Sequence, residues 1–158
     1  YTLCGHLDKL ASLGDDKYVS DKKTSKSIID QNFFDKFTPD NQFTLYSLAS
    51  KVVYGLPVKG IIVDGAQIAI GFSRFQRGTV HRTDSQLEEW YGELRFWFDQ
   101  AEAYARVRYW PINDKSCNNY GGCPFRGVCS KSPASRSQWL QADFAKRIWD
   151  PLVARGDV

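Results

Sequence analysis

The chain has 158 residues, 42% hydrophobic and 15% aromatic, with 21 Lys and Arg against 18 Asp and Glu. That length suits one domain with a substantial core, and no apolar run approaches a membrane span or resembles a signal peptide. The net charge of +3 permits a nucleic-acid partner without arguing for one.

The chain opens on Tyr1, inside what reads as a strand, and contains no methionine; it reads as an excised domain lacking its N-terminal segment. Leu3, Leu7, Leu10 and Leu13 mark an extended run that ends at Gly14-Asp15-Asp16, a hairpin-turn composition. The return strand Tyr18-Val19-Ser20 delivers Asp21 and Lys23, which lie two apart and share a face. Asp8, on the first strand of the hairpin, comes within reach of both. Charged residues at strand ends are ordinarily solvated decoration. Two carboxylates and one ammonium converging there are also what metal-assisted phosphodiester hydrolysis needs. The carboxylates would hold a hard divalent cation, and the lysine would stabilise charge or position the attacking water. His6 shares a face with Asp8 by parity, either as a packed or solvent-facing histidine or as a ligand.

Pro39-Asp40 precedes an amphipathic helix from Gln42 to about Tyr54, on which Gln42 and Tyr46, four apart, stack on one face. Val58, Ile61, Ile62 and Val63 then form a strand, Asp64-Gly65 reads as a hairpin turn, and residues 67–82 read as a long second strand. Arg74, Arg77, His81 and Arg82 on that strand, with aromatics interleaved, make either a strip for a phosphate backbone or a solvated face. Lys22 and Lys26, beside Asp21, are better placed to meet DNA. Thr83-Asp84-Ser85-Gln86 has the capping-box pattern and launches a helix over residues 85–108. Its stripe of Leu87, Trp90, Tyr91, Leu94, Trp97 and Phe98 reads as core. Hairpin, helix, hairpin, helix predicts an α/β domain with a central mixed sheet flanked by helices. Without internal repeats, residues 1–158 read as one domain, with a core over 1–110 and a cysteine loop and C-terminal helix over 111–158.

Cys117, Cys123 and Cys129 lie in a loop rich in Gly, Asn and Pro, which suits convergence on a metal centre. A disulfide would pair two of them and leave the third. Spacing alone does not separate zinc from iron. Beyond them, Pro133, Trp139, Leu140, Phe144, Ile148 and Trp149 have helical spacing, so this tail is expected to pack back across the cysteine loop. A metal there would serve folding rather than redox chemistry.

Gly5-His6-Leu7-Asp8, Asp21-Lys22-Lys23-Thr24 and Gln42-x-x-x-Tyr46, in that order and spacing, resemble the motif series of PD-(D/E)XK nucleases of the RecB exonuclease type. That series is shared by several phage-encoded and CRISPR-associated nucleases. The resemblance implies a restriction-endonuclease-like core and a Mg²⁺- or Mn²⁺-dependent deoxyribonuclease, an exonuclease of recombination, repair or phage DNA processing. DNA would be the substrate, a helicase or recombination protein a partner, and the cytoplasm of a bacterial or phage-infected cell the setting. Asp8 is similar to the first metal-binding carboxylate, Asp21 to the second, and Lys23 to the lysine of the same motif. Gln42 and Tyr46 match the helix pair that shapes the site and contacts the substrate strand. Many relatives carry a histidine or glutamate on a preceding helix, which this chain does not include.

A subset of the family carries an iron–sulfur staple, with one cysteine before the nuclease core and three after it. This implies a 4Fe–4S cluster, or zinc in its place, held by Cys117, Cys123 and Cys129 with Cys4 as the upstream candidate. Two features depart from the pattern. Both gaps between the downstream cysteines hold five residues, where relatives usually have one tighter gap. Cys4 also lies on the Asp8 strand rather than ahead of it, where an ordinary buried strand cysteine is the competing reading. The competing functions are a noncatalytic DNA-binding or scaffold module of the same fold and a zinc-stapled interaction domain. Intact Asp8, Asp21 and Lys23 speak against both, because a module without catalysis has no need of all three.

Overall fold

The computed structural model describes residue 1, residues 3–148 and residue 150. Its sheet grows from β2 (Asp16–Ser25). The shorter β1 (Lys9–Leu13) pairs with it antiparallel through a turn at Gly14, whose φ of +62° suits glycine. After β2 the chain crosses over through α1 (Gln31–Asp35) and α2 (Asn41–Tyr54), then returns as β3 (Gly60–Ala69) parallel to β2. β4 (Phe72–Val80) closes the order β1-β2-β3-β4 antiparallel to β3. The result is a four-stranded mixed sheet flanked by helices, in an α/β chain.

Both crossover helices start on a capping aspartate, since an exposed N-terminal N–H needs an acceptor. Asp30 accepts from Phe33 N at 3.1 Å and Asp40 from Phe43 N at 2.8 Å. The caps set the helices so that Ile29, Phe33, Phe43 and Tyr46 meet Val19, Ile61, Val63 and Val80 of the sheet. Burying each of the larger apolar side chains stabilises the fold by about 1.5–3 kcal/mol. Phe33 meets Phe34 and Phe37 edge-on, with ring centroids 5.1 and 5.4 Å away.

Four expectations are corrected here. Asp64-Gly65 is not a turn but the middle of β3, paired on both sides. Gly65 is there for close approach: a Cβ would stand 3.0 Å from Phe33 Cε1 and 3.2 Å from Ile29 Cγ2. The hairpin turns instead at Ile70-Gly71, where Gly71 has φ +88°.

Asp8 lies one residue ahead of β1 rather than on a strand, and Leu3 and Leu7 lie outside it too. The ladder stops at the Lys9–Ser20 pair. Beyond it the Asp8 carboxylate, not a backbone carbonyl, accepts from Lys22 N at 3.2 Å.

The long helix α3 (Asp84–Val107) starts as expected, with Gln86 N donating to Thr83 Oγ1 at 3.2 Å and Thr83 N to Gln86 Oε1 at 2.9 Å. Its stripe, however, is not core. Leu87 is buried, whereas Tyr91 and Trp97 are 51% and 64% exposed. The apolar face of the sheet is filled by α1 and α2 residues, which leaves that surface closed to the stripe. Lys51 of α2 pairs with Asp84 at the start of α3, a carboxylate where the helix dipole favours one.

The chain divides into two compact units, Tyr1–Phe98 and Asp99–Val158. The second unit holds α4 (Arg126–Cys129), α5 (Arg136–Asp143) and short 3₁₀ turns at Asp114–Ser116, Asn119–Gly121 and Pro133–Ser135. Arg136 ties α5 to α4, donating to the carbonyls of Cys129 at 2.9 Å and Lys131 at 3.1 Å. The tail is not helical throughout. Phe144 turns extended and stacks on Phe125 with ring centroids 4.7 Å apart, and Ile148 is exposed. Trp149 lies outside the described residues. Among those residues no helix is long and apolar enough to cross a membrane.

Candidate active site

β2 carries Asp21 and Lys23 on the side of the sheet that faces α2, because residues two apart share a face. The Asp40 cap fixes the first turn of α2 next to them. Lys23 Nζ donates to Gln42 Oε1 at 2.8 Å, and Gln42 Nε2 donates to the Tyr46 hydroxyl at 2.8 Å. That hydroxyl donates in turn to the His6 carbonyl at 2.8 Å. The chain of contacts therefore ends two residues before Asp8. All five residues singled out for catalysis, Asp8, Asp21, Lys23, Gln42 and Tyr46, are gathered around this one edge. His6 takes part through its backbone, not its ring.

Asp21 is the unusual group. It is 2% exposed, and Lys23 Nζ stands 2.9 Å from its Oδ2. That ammonium is the close partner of an Oδ2 that is otherwise buried. Burial lifts the carboxyl above the ordinary aspartate range. Lys23 acts against that shift, and the charges of Asp8 and Asp40 push the same way as burial.

Two contributors escaped sequence reasoning. Asp40 adds a third negative charge around Asp21, and the Pro-Asp ahead of an apolar helical run was its available signal. Phe43 puts its ring 5.2 Å beneath the Lys23 ammonium, a cation–π contact that fixes the lysine from a third side. Nothing local marks Phe43 for that role, since its spacing reads only as core.

The basic strip does not exist as one surface. Arg77 faces the opposite side of the sheet from Arg74, and its Nε donates to Asp64 at 2.6 Å. That contact pulls the Asp64 carboxyl below its usual range. Arg82 turns inward to the Phe37 carbonyl and Thr44 Oγ1, at 2.8 and 2.9 Å, and burial lowers its guanidinium. His81 Nδ1 contacts the Lys59 carbonyl at 2.8 Å. Three of the four thus tie the fold together. Lys22 is exposed on the face of β2 opposite Asp21 and Lys23, beside Asp64, and Lys26 is exposed just past the end of β2.

The four cysteines are all free thiols. Cys117, Cys123 and Cys129 belong to the second unit, each half-buried: Cys117 just after the first 3₁₀ turn, Cys123 in the loop before α4 and Cys129 at the end of α4, with Cys123 N donating to the Cys117 carbonyl at 2.9 Å. Cys4 is exposed and belongs to the first unit. Among the described residues, no three His, Cys, Asp or Glu side chains are drawn together as a ligand set.

An open cavity of about 930 Å³ lies beside the site, not on it. It is lined by Leu3, Leu7, Leu45, Tyr46, Val52 and Leu87 among others, and shares Tyr46 with the contact chain described above. The charged groups gather at Asp21 and Lys23 instead, while the wall of this cavity is mostly apolar. Compared with profiles of protein families, with characterised proteins and with solved structures, the chain matches none.

Proposed function

We propose that this chain is a metal-dependent DNA nuclease of the PD-(D/E)XK, RecB-like type, with a restriction-endonuclease-like core. One observation carries the reading: a buried Asp21 oxygen lies 2.9 Å from the Lys23 ammonium, with Asp8, Gln42 and Tyr46 around it. A carboxylate is held dry at a cost in stability unless something compensates it, and a hard divalent cation is what an oxygen donor set of this kind takes. Asp21 fits that test through a buried oxygen whose close partner is the Lys23 ammonium, and Asp8 through an exposed carboxylate that accepts from the Lys22 amide. Asp8 and Asp21 would hold Mg²⁺ or Mn²⁺, which when bound would polarise the scissile phosphate and lower the pKa of its water. Lys23 directs an N–H toward the attacking water or a phosphate oxygen, while Gln42 and Phe43 keep the ammonium from swinging away. Exposed Lys26, just past the end of β2, neutralises a phosphate of the approaching strand.

The test is direct. Incubated with linear duplex or single-stranded DNA, the purified chain should degrade it with Mg²⁺ or Mn²⁺ and stop on addition of EDTA. DNA binding without cleavage in any divalent metal would replace the nuclease with a noncatalytic binding or scaffold module.

The proposal extends to the cysteines. Three free, half-buried thiols close together in the sequence of one unit support a structural metal centre held by Cys117, Cys123 and Cys129, iron–sulfur or zinc. Protein purified without oxygen should be brown and absorb broadly near about 400 nm, as thiolate–iron centres do. Cys123→Ser should bleach it and speed proteolysis after Pro111. Colourless protein with stoichiometric zinc would keep the staple and change its metal, and three alkylatable thiols without metal would remove it.

A further inference from the structure

Gln42 and Tyr46 are the pair that the family resemblance would set against the substrate strand. Gln42 is exposed, yet the polar atoms of both are engaged by other groups of the protein. Tyr46 is 6% exposed, and its hydroxyl has a single proton, which goes to the His6 carbonyl at 2.8 Å. The 2.8 Å contact between that hydroxyl and Gln42 must therefore be donated by Gln42 Nε2. This fixes the amide, and Oε1 has to face Lys23, where it accepts from the ammonium at 2.8 Å. A flipped amide would set donor against donor. The polarity runs one way, from Lys23 through Gln42 and Tyr46 to the backbone two residues before Asp8.

We propose that Gln42 and Tyr46 are positioning residues, joined in a one-way hydrogen-bond relay that holds Lys23 at one end and the Asp8 segment at the other. Its effect on rate rests on the nuclease reading; the relay itself does not. At the far end, the Asp8 segment lies outside the sheet ladder and is tied by the Tyr46–His6 bond and by Lys22 N to Asp8 at 3.2 Å. At the near end, Lys23 sits between Asp21, Gln42 and the Phe43 ring. Removing one hydroxyl therefore loosens two elements that are not adjacent in sequence.

Tyr46→Phe tests this in the full chain, without metal and then with DNA and Mg²⁺. In metal-free protein, ¹H–¹⁵N spectra of the Lys23 ammonium should shift and broaden. Amide exchange over residues 5–8 should rise by about tenfold, the equivalent of one hydrogen bond. With DNA, kcat should fall by about the same factor while KM stays unchanged. Gln42→Glu separates the two ends. It still accepts from Lys23 but cannot donate, so it draws the Tyr46 proton from His6. The Lys23 signal should then persist while residues 5–8 exchange faster. A raised KM with kcat and both spectra unchanged in Tyr46→Phe would make the pair a substrate contact and overturn the relay. A lower unfolding midpoint with the Lys23 signal unmoved would also overturn it, leaving Tyr46 a packing residue. A wild-type chain that cleaves no DNA would count against the nuclease reading alone, and the spectra would still decide the relay.

Discussion

Asp21→Asn should abolish DNA cleavage and at the same time raise the melting temperature of the metal-free protein at neutral pH. The first effect follows from the position of the carboxylate. Removing a single preorganised charge-stabilising group costs on the order of 10²–10³ in kcat, and loss of a cation ligand comes on top of that. The second follows from linkage. Burial raises the Asp21 carboxyl above its ordinary value of 3.8, so between that value and the folded one the native state binds more protons than the unfolded state. Stability therefore falls as pH rises through that window, and the full penalty applies above it. Asparagine keeps the shape without the charge and escapes the penalty. The gain should vanish below about pH 3.8, the reference value, where both states carry the protonated acid. Melting curves in EDTA across that range, beside a cleavage assay, read both effects. Wild-type cleavage by Asp21→Asn would sink the catalytic assignment. A lowered midpoint at neutral pH would mean that the Lys23 ion pair outweighs burial.

Phe43→Ala should be the most destabilising single change in the first unit, by about 3–5 kcal/mol. Phe43 is fully buried, with its ring centroid 5.0 Å from that of Phe37 and 6.4 Å from that of Tyr46. A whole domain holds only about 5–15 kcal/mol in reserve, so the variant should sit near its unfolding midpoint at moderate urea. Phe43→Leu refills most of the volume but removes the ring beneath Lys23. It should cost far less stability while still slowing cleavage, which separates packing from the cation–π contact. Urea titrations of both variants decide the point, and a loss under about 1 kcal/mol in Phe43→Ala would show that the site relaxes around the cavity.

The polar constellation was legible because its geometry is local. Asp21 and Lys23 share a strand face by parity, Gln42 and Tyr46 share a helix face by period, and the Thr83–Gln86 box names its own bonds. The mixed sheet between helices was legible for the same reason. Asp64-Gly65 was misread because Asp-Gly is a turn composition, whereas this glycine answers to Phe33 and Ile29, which arrive from α1 at long range. The α3 stripe has a core period, yet periodicity cannot tell that α1 and α2 already cover the apolar sheet face. Helical spacing in the tail likewise cannot foresee Phe144 leaving the helix to stack on Phe125. Asp40 was not read as a contributor, because its charge on Asp21 appears only once α2 and β2 lie side by side.

The parallel pairing of β2 with β3 has a kinetic side. Both flanking hairpins form between neighbours in sequence and close at small entropic cost. The central pairing must wait until the whole span from Ser25 to Gly60 has looped back, and that closure entropy comes before any contact rewards it. A chain with only its hairpins formed would hold Asp21 on an open strand edge, hydrated and chemically ordinary, with Gln42 and Tyr46 elsewhere. The slowest topological step and the assembly of Asp21, Lys23, Gln42 and Tyr46 are thus one event. A nascent or partly unfolded chain lacks this four-residue arrangement, which only the completed fold brings together.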